Sequence, residues 1–396
     1  MAAREIDYEV IIVGAGLVGL ALAVALARAG LRVALVDRGN IAVGALSSTE
    51  DDWDARVYAI SPGSACFLRT LGVWQRVPSE RIAAIEAMEV FGDAGGEITF
   101  SAYEIGERAL AWIVENRELN AALIETMRTT SGIDSLAPEA PIAVAWSADR
   151  VELRLADDRS IAARIVVAAD GVHSWVRAQA GMTISPRSYG QTAVVANFAT
   201  ERAHHGRAFQ WFLDDEGVLA WLPLPGRRIS IVWSAPDALA KELRAMTQEA
   251  LALRVAGAGK GALGTLTCIT PAAGFPLTFL RLPRVIGPRL ALVGDAAHGV
   301  HPLAGQGVNL GFGDAAALAS ALAARTVIGD AGSAFLLERY ALHRAAPVLA
   351  MQAVTDGLVR LFGTSFPLVK LARNGGMRAV DALGPLKRLL AQPALR

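Results

Sequence analysis

The chain has 396 residues, 53% of them hydrophobic and 19% charged, and its 38 Lys and Arg residues balance its 38 Asp and Glu residues. This length predicts two or three domains, and the charge balance argues against nucleic acid or any other partner that needs a strongly charged protein. The two cysteines, Cys66 and Cys268, form neither a CxxC pair nor a disulfide framework, which favours a reducing cytoplasmic location.

The first long apolar stretch runs from Val10 to Ala27 and contains 18 residues without a charge. A transmembrane helix or a signal peptide would also explain such a composition. The acidic residues that precede it, Glu5, Asp7 and Glu9, and the glycines within it argue against both alternatives.

The same stretch contains the elements of a βαβ unit. Residues 8–13 predict a buried strand, residues 17–30 a helix that ends at a glycine, and residues 32–38 the next strand. Because the crossover between parallel strands is right-handed, we expect a parallel sheet at the start of the chain.

Three glycines in GxGxxG spacing, Gly14, Gly16 and Gly19, lie between the first strand and the helix, and Asp37 ends the second strand. The first glycine permits a tight turn, the second lets a pyrophosphate approach the backbone, and the third lets helix and strand pack closely. The helix amino terminus offers amide donors to phosphates, and Asp37 can accept hydrogen bonds from a ribose. The pattern predicts dinucleotide binding and leaves open which dinucleotide is bound.

The middle of the chain predicts further elements and a change of character. An acidic loop is predicted over residues 48–56, and a buried strand is predicted to end at the Asp170-Gly171 turn. Helices are predicted over 61–71, 117–129 and 236–257, and strands over 164–171, 274–283 and 289–294. From residue 191 to 235 the sequence alternates and is rich in aromatic residues, which predicts antiparallel hairpins in an inserted second domain.

The predicted strand over 289–294 delivers Asp295 to the carboxyl end of the sheet, where ligands of open α/β folds bind. A carboxylate there suits a polyol such as the ribityl chain of a flavin. Six glycines lie between residues 294 and 313, and a helical pattern follows. This density predicts the close approach of a flavin ring, whose negative charge in the reduced state the helix amino terminus would stabilise.

Two histidines, His298 and His301, lie beside Asp295. No further group of metal-ligating residues and no Cys pair accompanies them in the sequence, so no metal site is expected. His298 could relay a proton near the flavin or could serve in packing, and the sequence singles out no catalytic residue.

Taken together, these motifs resemble the single-component FAD-dependent aromatic hydroxylases, and within them the ubiquinone-biosynthesis hydroxylase branch of the UbiH/UbiF type. The similarity covers nearly the whole chain. Besides the glycine turn, it rests on "DARVYAISPGSACFLRTLGVW" (54–74), "WIVENRELNAAL" (112–123), Asp170-Gly171 and "LVGDAAHGVHPLAGQGVNLGFGD" (292–314). It implies an α/β fold, in which an FAD-binding Rossmann-like domain of the glutathione-reductase type carries an inserted antiparallel-sheet substrate domain and C-terminal helices.

The resemblance implies a discontinuous organisation and a set of cofactor-binding residues. We expect an FAD-binding domain over 1–75, 106–185 and 284–330, a substrate domain over 76–105 and 186–283, and a C-terminal helical region over 331–396. The residues expected to bind FAD are Gly14, Gly16, Gly19, Asp37, Arg38, Arg56, Arg117, Asp170, Gly171, Asp295, Pro302, Gly305, Gln306, Gly307 and Asn309. Among them, Asp170 is associated with both FAD and NAD(P)H, and Asp295 with the ribityl chain.

The activity implied by the resemblance is hydroxylation of the aromatic ring of a polyprenylated phenol in ubiquinone biosynthesis. FAD would be bound, NAD(P)H and O2 would be co-substrates, and a flavin C4a-hydroperoxide would carry the oxygen. The cofactor supplies this chemistry, so little is required of protein acids and bases. Two alternatives stay open: an FAD hydroxylase of a small soluble aromatic compound, and a catalytically silent flavin-binding assembly subunit.

The aromatic residues of the inserted sheet are candidates for a lid over the flavin, with core packing as the alternative. They are Phe209, Trp211, Phe212, Trp221 and Trp233. The chain departs from the family pattern at Gln210-Trp211-Phe212, where Gln-Arg-Phe is frequent, and at 343–349. The first departure puts the identity of the ring substrate in doubt.

The tail from residue 358 to 396 mixes apolar residues with seven Lys and Arg residues against the single acid Asp381. One interpretation is a basic amphipathic helix on an anionic membrane, peripheral on its inner face. The other is a helix pair packed on the FAD-binding domain with a solvated basic face. Association with other ubiquinone-biosynthesis proteins is a further expectation.

Overall fold

The computed structural model describes residues 6–42, 52–184, 186–325 and 329–384, together with residues 387, 392 and 395. Its strands are β1 (Tyr8–Val13), β2 (Val33–Val36), β3 (Val57–Ile60), β4 (Ile82–Ile85), β5 (Ala87–Phe91), β6 (Glu97–Ser101), β7 (Ala111–Glu115), β8 (Ile133–Leu136), β9 (Pro141–Trp146), β10 (Val151–Leu155), β11 (Ser160–Ala168), β12 (Arg187–Thr200), β13 (Arg207–Leu213), β14 (Gly217–Leu224), β15 (Arg228–Pro236), β16 (Leu266–Cys268), β17 (Ala273–Arg281), β18 (Ile286–Gly287), β19 (Leu290–Leu292) and β20 (His298–Gly299). Its α-helices are α1 (Leu17–Arg28), α2 (Pro62–Thr70), α3 (Ala102–Ile105), α4 (Asn116–Arg128), α5 (Trp175–Gln179), α6 (Asp237–Ala245), α7 (Gln248–Ala258), α8 (Gly307–Ala323), α9 (Ala334–Phe362) and α10 (Pro367–Ala382).

The first sheet is built around a parallel core in the order β19-β11-β1-β2-β8. Its central strand β1 is an unbroken apolar run whose Ile11 and Ile12 are both fully buried, as expected for a strand covered on both faces. One face packs on α1, α4 and α8, and the antiparallel strands β9 and β10 contribute to the core on the other face. The carboxyl ends of β1 and β19 lead into the glycine turn and the Asp295 segment.

The second sheet follows the order β20-β17-β12-β15-β14-β13-β5-β6, with β16 paired to β12. Its pairs are antiparallel apart from β13 and β5, which run parallel. Helices α6 and α7 cover one face of this sheet. Its strands come from two separate parts of the chain, before and after β7 to β11, so both large sheets are discontinuous in sequence.

A third, small sheet lies between the two large ones in the order β3-β7-β4. Its residues Ala59 and Ile113 share an apolar cluster with Ala208 and Leu224 of the second sheet. Strand β3 is therefore held on one side by the second sheet, while its carboxyl end leads into α2. This sheet was not expected from the sequence, because each of its strands is only four or five residues long.

The fold class predicted from the sequence is confirmed: a Rossmann-like parallel sheet, an inserted largely antiparallel sheet and C-terminal helices are all present. The apolar stretch from Val10 to Ala27 is divided between β1 and α1, whose interior is almost fully buried, so it is not one long helix. The acidic loop predicted over 48–56 lies partly outside the described residues.

The basic residues of the C-terminal tail do not all face solvent in the structure. Helix α10 packs on β6 and on α9, and of its three cations Arg373 is buried, Lys370 is partly buried and Arg378 is exposed. Arg373 pairs with the buried carboxylate of Asp93, and Lys370 pairs with Asp214 at 2.6 Å. The side chains left on the outside are largely apolar. Arg388 and Arg396 lie outside the described residues.

Candidate cofactor site

The turn between β1 and α1 has the geometry that the glycine spacing predicts. Gly14 has φ +109°, and a side chain there would collide with the carbonyl of Ala169. A Cβ at Gly19 would collide with the carbonyl oxygen of Gly14, which forces the first turn of α1 against the loop. At Gly16 nothing lies within 4 Å of an added Cβ. The amino terminus of α1 therefore opens onto free space beside Gly16.

Asp37 lies beside this turn at the end of β2. Its Oδ2 accepts a hydrogen bond from the Ala15 amide at 2.7 Å, and its Oδ1 accepts one from the Gly39 amide at 2.7 Å. A carboxylate oxygen can accept more than one hydrogen bond, so these contacts orient Asp37 without exhausting it. Arg38, the next residue, is exposed.

Asp170 lies where β11 turns into α5. Its Oδ2 accepts hydrogen bonds from the amides of Trp175 and Val176 at 2.7 and 3.1 Å, whereas its Oδ1 is buried without a hydrogen-bond partner among the described residues. Gly171 follows with φ +81°. An unsatisfied buried carboxylate oxygen is unfavourable, so a donor from a bound molecule would stabilise this arrangement.

Arg177 joins this motif to the Asp295 segment. Its guanidinium is buried and donates to the carbonyls of Ala296 and Val172 at 2.8 and 2.7 Å. Burial lowers the pKa of Arg177, and nearby Asp170 partly opposes the effect. Sequence reasoning assigned Arg177 no role, because the carbonyls that it contacts are brought to it by the tertiary structure.

The Asp295 segment lies directly against the helix that follows the glycine turn. A Cβ added at Gly311 of α8 would lie 2.5 Å from Cγ2 of Val18 in α1, and one added at Gly294 would lie 3.4 Å from the same atom. Val18 is two residues from Gly16, and Gly294 precedes Asp295. The two motifs expected to hold opposite ends of one cofactor thus meet across Val18.

Asp295 is exposed to solvent, although nearby protein groups partly desolvate its carboxylate. Desolvation raises the pKa of Asp295, while His298 and the Arg56 guanidinium act in the opposite direction. Arg56 lies over the ring of Tyr58 at 5.3 Å and over the ring of Phe275 at 5.2 Å. Asp295 makes no hydrogen bond within the described ranges of the chain, so it is available to a ligand.

Behind Asp295, a buried cluster of charges fixes the loop. Asp314 accepts hydrogen bonds from Arg344 Nε at 2.7 Å and from the Gly294 amide at 2.9 Å, and its Oδ2 lies 2.6 Å from Nε2 of His298. Burial alone would raise the pKa of Asp314, but His298 and Arg344 outweigh it and the pKa is lowered. Since Asp314 is the acceptor, the proton lies on His298 Nε2. This hydrogen bond fixes the orientation of the His298 ring.

The amino terminus of α8 is fixed by Asn309. Its Nδ2 donates to the Ala59 carbonyl at 2.8 Å, and its Oδ1 accepts from the Ser61 amide at 3.0 Å. Both polar atoms of Asn309 thus bind protein, and the residue ties α8 to the start of α2. Gln306 is also buried and lies 3.3 Å from Asn309 Nδ2.

Pro302 begins the short turn that leads into α8, and its neighbour His301 is fully buried. Nε2 of His301 lies 2.9 Å from Gln191 Oε1, and its Nδ1 accepts from the Leu303 amide at 3.3 Å. Burial lowers the pKa of His301 to about 4, with Asp356 acting in the opposite direction. His301 is therefore neutral at pH 7, with its proton on Nε2.

The interpretation that the six glycines of residues 294–313 make room for a flavin ring is corrected for three of them. Gly311 approaches Val18, Gly313 approaches the Arg344 guanidinium, and Gly299 lies against the Thr278 carbonyl. These three serve contacts within the protein. At Gly307 nothing lies within 4 Å of an added Cβ, so this position resembles Gly16 at the amino terminus of α1.

Arg117 lies among acidic residues. Its guanidinium contacts the Asp52 carboxylate at 3.1 Å and the Asp52 carbonyl at 2.7 Å, and lies 3.6 Å from the buried Glu115. Burial raises the pKa of Glu115, although hydrogen bonding and the nearby arginines oppose this. The structure therefore places Arg117 beside carboxylates, one of which, Asp52, is the first described residue after residue 42.

The predicted aromatic lid is wrong for most of its residues, because side chains alternate between the two faces of a strand. Phe209, Trp211, Trp221 and Trp233 belong to the core under α6 and α7, as the packing alternative expected. Phe212 alone of the five points to the other face. There it stacks on Phe362 of α9 at 3.6 Å and shares a cluster with Leu303.

Among the described residues, no group of three or more His, Cys, Asp or Glu side chains is placed to hold a metal ion.

Comparison with known proteins identifies a family and close relatives. The family described as "FAD binding domain" matches residues 7–355. The ubiquinone hydroxylase UbiL of Rhodospirillum rubrum is 38% identical over 390 residues, which cover 98% of this chain and 89% of the relative. The 3-demethoxyubiquinol 3-hydroxylase of Escherichia coli is 34% identical over 388 residues, with 98% of each chain covered.

Among solved structures, PqsL from Pseudomonas aeruginosa, a probable FAD-dependent monooxygenase, superposes with a TM-score of 0.77. It is 26% identical, and the alignment covers 93% of this chain and 99% of PqsL. The likeness therefore extends over most of both chains.

Proposed function

Because this chain belongs to the FAD binding domain family of aromatic-ring hydroxylases, we propose that it hydroxylates the ring of a polyprenylated phenol in ubiquinone biosynthesis. It is an FAD-dependent monooxygenase that takes electrons from NAD(P)H and oxygen from O2. The substrate class follows from the UbiL and E. coli relatives, which match this chain over nearly its whole length.

The observation that supports this function best is the contact of α1 with the Asp295 segment. Val18 packs against both Gly294 and Gly311, so the glycine turn and Asp295 are close enough for one extended dinucleotide to reach both. Open space at Gly16 and Gly307, the accessible Asp295 carboxylate and the unpaired Oδ1 of Asp170 fit such a ligand.

In this proposal different residues bind different parts of the cofactor. The amides beside Gly16 would hold the pyrophosphate, Asp37 the ribose of the adenosine, and Asp295 the ribityl chain. The amino terminus of α8 beside Gly307 would face the flavin ring. Arg38, Arg56, Arg117, Pro302, Gly305, Gln306 and Asn309 complete the proposed site, Asn309 by fixing α8 and Arg117 from its acidic cluster. The proposed FAD-binding domain comprises 1–75, 106–185 and 284–330, and the proposed substrate domain comprises 76–105 and 186–283.

Bound FAD would supply the redox chemistry, in which hydride from NAD(P)H and one atom of O2 serve to hydroxylate the ring and the other oxygen atom leaves as water. The residues of this chain orient the reactants and exclude bulk water. The amide dipoles at the amino terminus of α8 stabilise negative charge beside Gly307. Phe212, Leu303 and Phe362 form an apolar wall next to this helix end. We propose that the ring of the substrate lies between this wall and the flavin.

The deciding experiment is product analysis with purified, FAD-loaded protein. We expect NAD(P)H oxidation to be stimulated by a short-chain polyprenyl phenol and the product to gain one oxygen atom by mass spectrometry. Equal or greater stimulation by hydroxybenzoates would favour a small soluble substrate. Hydrogen peroxide without hydroxylated product, for every phenol tested, would favour a silent flavin-binding subunit.

The role of Asp295 can be tested separately. Asp295→Ala removes an accessible carboxylate that makes no hydrogen bond within the described residues, so the fold should be retained. We expect FAD to dissociate at least tenfold more readily, measured by fluorescence of released flavin. Glu242→Ala on α6, which also removes an exposed acid, is the control. If Asp295→Ala binds FAD as tightly as the parent protein, the proposed ribityl contact is wrong.

We propose that the protein is cytoplasmic and lies peripherally on the inner face of the membrane, through the outer surface of α9 and α10. By length and composition, α9 is the one described helix that could cross a bilayer, yet Tyr340, Arg344 and Gln352 bind it to the body of the protein. A surface position suits it better. The exposed apolar residues that define this outer face are Val354, Leu361, Phe366, Leu368 and Leu371.

Flotation with vesicles tests this location. The parent protein should float with phosphatidylglycerol vesicles, and Leu368→Ser with Leu371→Ser should reduce the floated fraction severalfold. Leu253→Ser is the matched control, because Leu253 is 74% exposed on α7, close to the 69% and 72% of Leu368 and Leu371. A parent protein that stays at the bottom but binds a second copy or another ubiquinone-biosynthesis protein through this face would overturn the membrane proposal.

A further inference from the structure

A cavity of about 500 Å³ lies between α9 and the segment 281–286. Its inner wall includes His298 and Asp314, which are part of the buried charge cluster behind Asp295. None of the residues proposed to bind FAD lines it in the described part of the chain. The cavity is thus separate from the proposed cofactor site, and its size lies within the range of about 300–1,000 Å³ that is typical of small-molecule sites.

The walls of the cavity are mainly apolar. On α9, Ala341, Ala345 and Val348 follow one another at helical spacing and line one side. The two alanines leave open the space that larger side chains would fill. Leu282 and Val285 line the opposite side. A hydrocarbon chain lying along α9 would contact both sides and be removed from water.

More unpaired positive than negative charge lines the cavity. Arg281 and Arg284 line it, both are exposed, and neither guanidinium makes a hydrogen bond or ion pair with a described residue. Of the acids that line the cavity, Asp314 is buried and already paired with Arg344, which leaves Glu338 as the exposed one. Two unpaired guanidiniums beside an apolar cavity fit a carboxylate or phosphate, which arginine binds through paired N–H donors.

We propose that this cavity binds an amphiphile with one hydrocarbon chain and an anionic head group. The chain lies along Ala341, Ala345 and Val348, and the head group binds Arg281 and Arg284. The occupant rests against His298 and Asp314, so its binding stabilises the loop that carries Asp295. This inference does not depend on the reaction that the protein catalyses.

The experiment measures binding of dodecanoate, below its micellar concentration, to the FAD-loaded protein by calorimetry. We expect one bound molecule per chain, and at least tenfold weaker binding of the uncharged analogue dodecanol. Arg281→Gln combined with Arg284→Gln should weaken dodecanoate binding at least tenfold and leave the weak dodecanol binding unchanged. Ala345→Trp, which fills the cavity from an exposed helix position, should abolish the binding of both.

Arg154→Gln is the control for charge, because Arg154 is exposed and its guanidinium has no partner among the described residues. FAD absorbance and the thermal unfolding midpoint show whether each variant is folded. The proposal is overturned if the Ala345→Trp variant still binds dodecanoate. It is also overturned if the Arg154→Gln control binds dodecanoate as weakly as the double arginine variant does.

Vesicle binding of the same variant shows whether the head group belongs to a membrane lipid or to a free fatty acid. If Ala345→Trp also reduces binding to phosphatidylglycerol vesicles, the cavity takes one of the two acyl chains of a membrane phospholipid. If it abolishes dodecanoate binding alone, the occupant is a free fatty acid. Both results support the cavity as the site, whereas Leu368→Ser with Leu371→Ser should leave dodecanoate binding unchanged.

Discussion

The turn that carries Gly14, Gly16 and Gly19 is held in shape largely by nearby backbone, whereas the segment from Gly294 to Asp314 is held by side chains from elsewhere in the chain. In the first region, glycines pack on neighbouring carbonyls and Asp37 binds an adjacent amide. In the second, buried charges fix the loop. A turn made of backbone tolerates little change at its glycines, while a loop held by charges depends on residues outside the motif.

The largest effect is expected in the second region, from Asp314→Ala. This change leaves Arg344 and His298 buried without their acceptor, and breaking a buried ion pair in this way costs about 3–5 kcal/mol. Urea unfolding of the apoprotein should show the loss, and FAD affinity should fall with it because Gly294 is released. Asp149→Ala, which removes an acid whose side chain is 61% exposed, should cost less than about 1 kcal/mol. Equal losses in the two variants would contradict the importance of the buried cluster.

The second prediction concerns the pH dependence of the same region, through His301. This residue is neutral in the fold, and its pKa of about 4 lies below its ordinary value of 6.5. The unfolded chain therefore binds the proton first, and about 3 kcal/mol of stability, present above pH 6.5, should be lost as the pH falls to about 4. Unfolding free energies of the parent protein and His301→Gln, measured across this range, give the contribution as their difference. A difference that does not vary with pH would show that His301 is not buried as a neutral ring.

The third prediction concerns the turn that carries Gly14, Gly16 and Gly19. Gly14→Ala places a Cβ against the Ala169 carbonyl at a residue with φ +109°, so we expect a loss of about 1–3 kcal/mol from overpacking and backbone strain. Chemical denaturation of the apoprotein measures it without any contribution from the cofactor. Gly257→Ala on α7, where an added Cβ meets nothing within 4 Å, is the control and should be neutral or slightly stabilising. Similar stability of both variants would mean that the turn is more adaptable than its geometry indicates.

The smallest effect on stability, and the sharpest test of what the two regions share, comes from Gly16→Ala and Gly307→Ala. Both glycines face open space at the start of a helix, so each change should alter the free energy of unfolding by less than about 1 kcal/mol. FAD affinity should nevertheless fall in both, because the added methyl group occupies the space proposed for the pyrophosphate and the flavin. Titration of apoprotein with FAD measures this. If either variant binds FAD normally, the ligand does not approach that helix end.

Much of the first sheet was predictable because its signals are local. Strand β1, helix α1 and strand β2 lie within two or three residues of their predicted bounds, since a buried apolar run, a helix and glycines in fixed spacing follow each other without a gap. The small sheet of β3, β4 and β7 was missed because short strands of mixed character have no clear periodicity.

The aromatic residues of β13 show a different limit. The alternation of side chains tells that Trp211 and Phe212 lie on opposite faces, but not which face meets the cofactor-binding domain. That choice depends on α6 and α7, which cover the Trp211 face and leave Phe212 next to Leu303.

The sequence by itself determined the fold class, the family and the two motifs expected to hold FAD, because each depends on residues close together in the chain. Only the tertiary structure decided what the second motif's glycines contact, that His298 binds Asp314, and that Arg373 of α10 pairs with the buried Asp93. These contacts join residues that are distant in sequence or lie on opposite sides of a turn. Burial and pairing of charges then set their energies, and neither can be inferred from spacing alone.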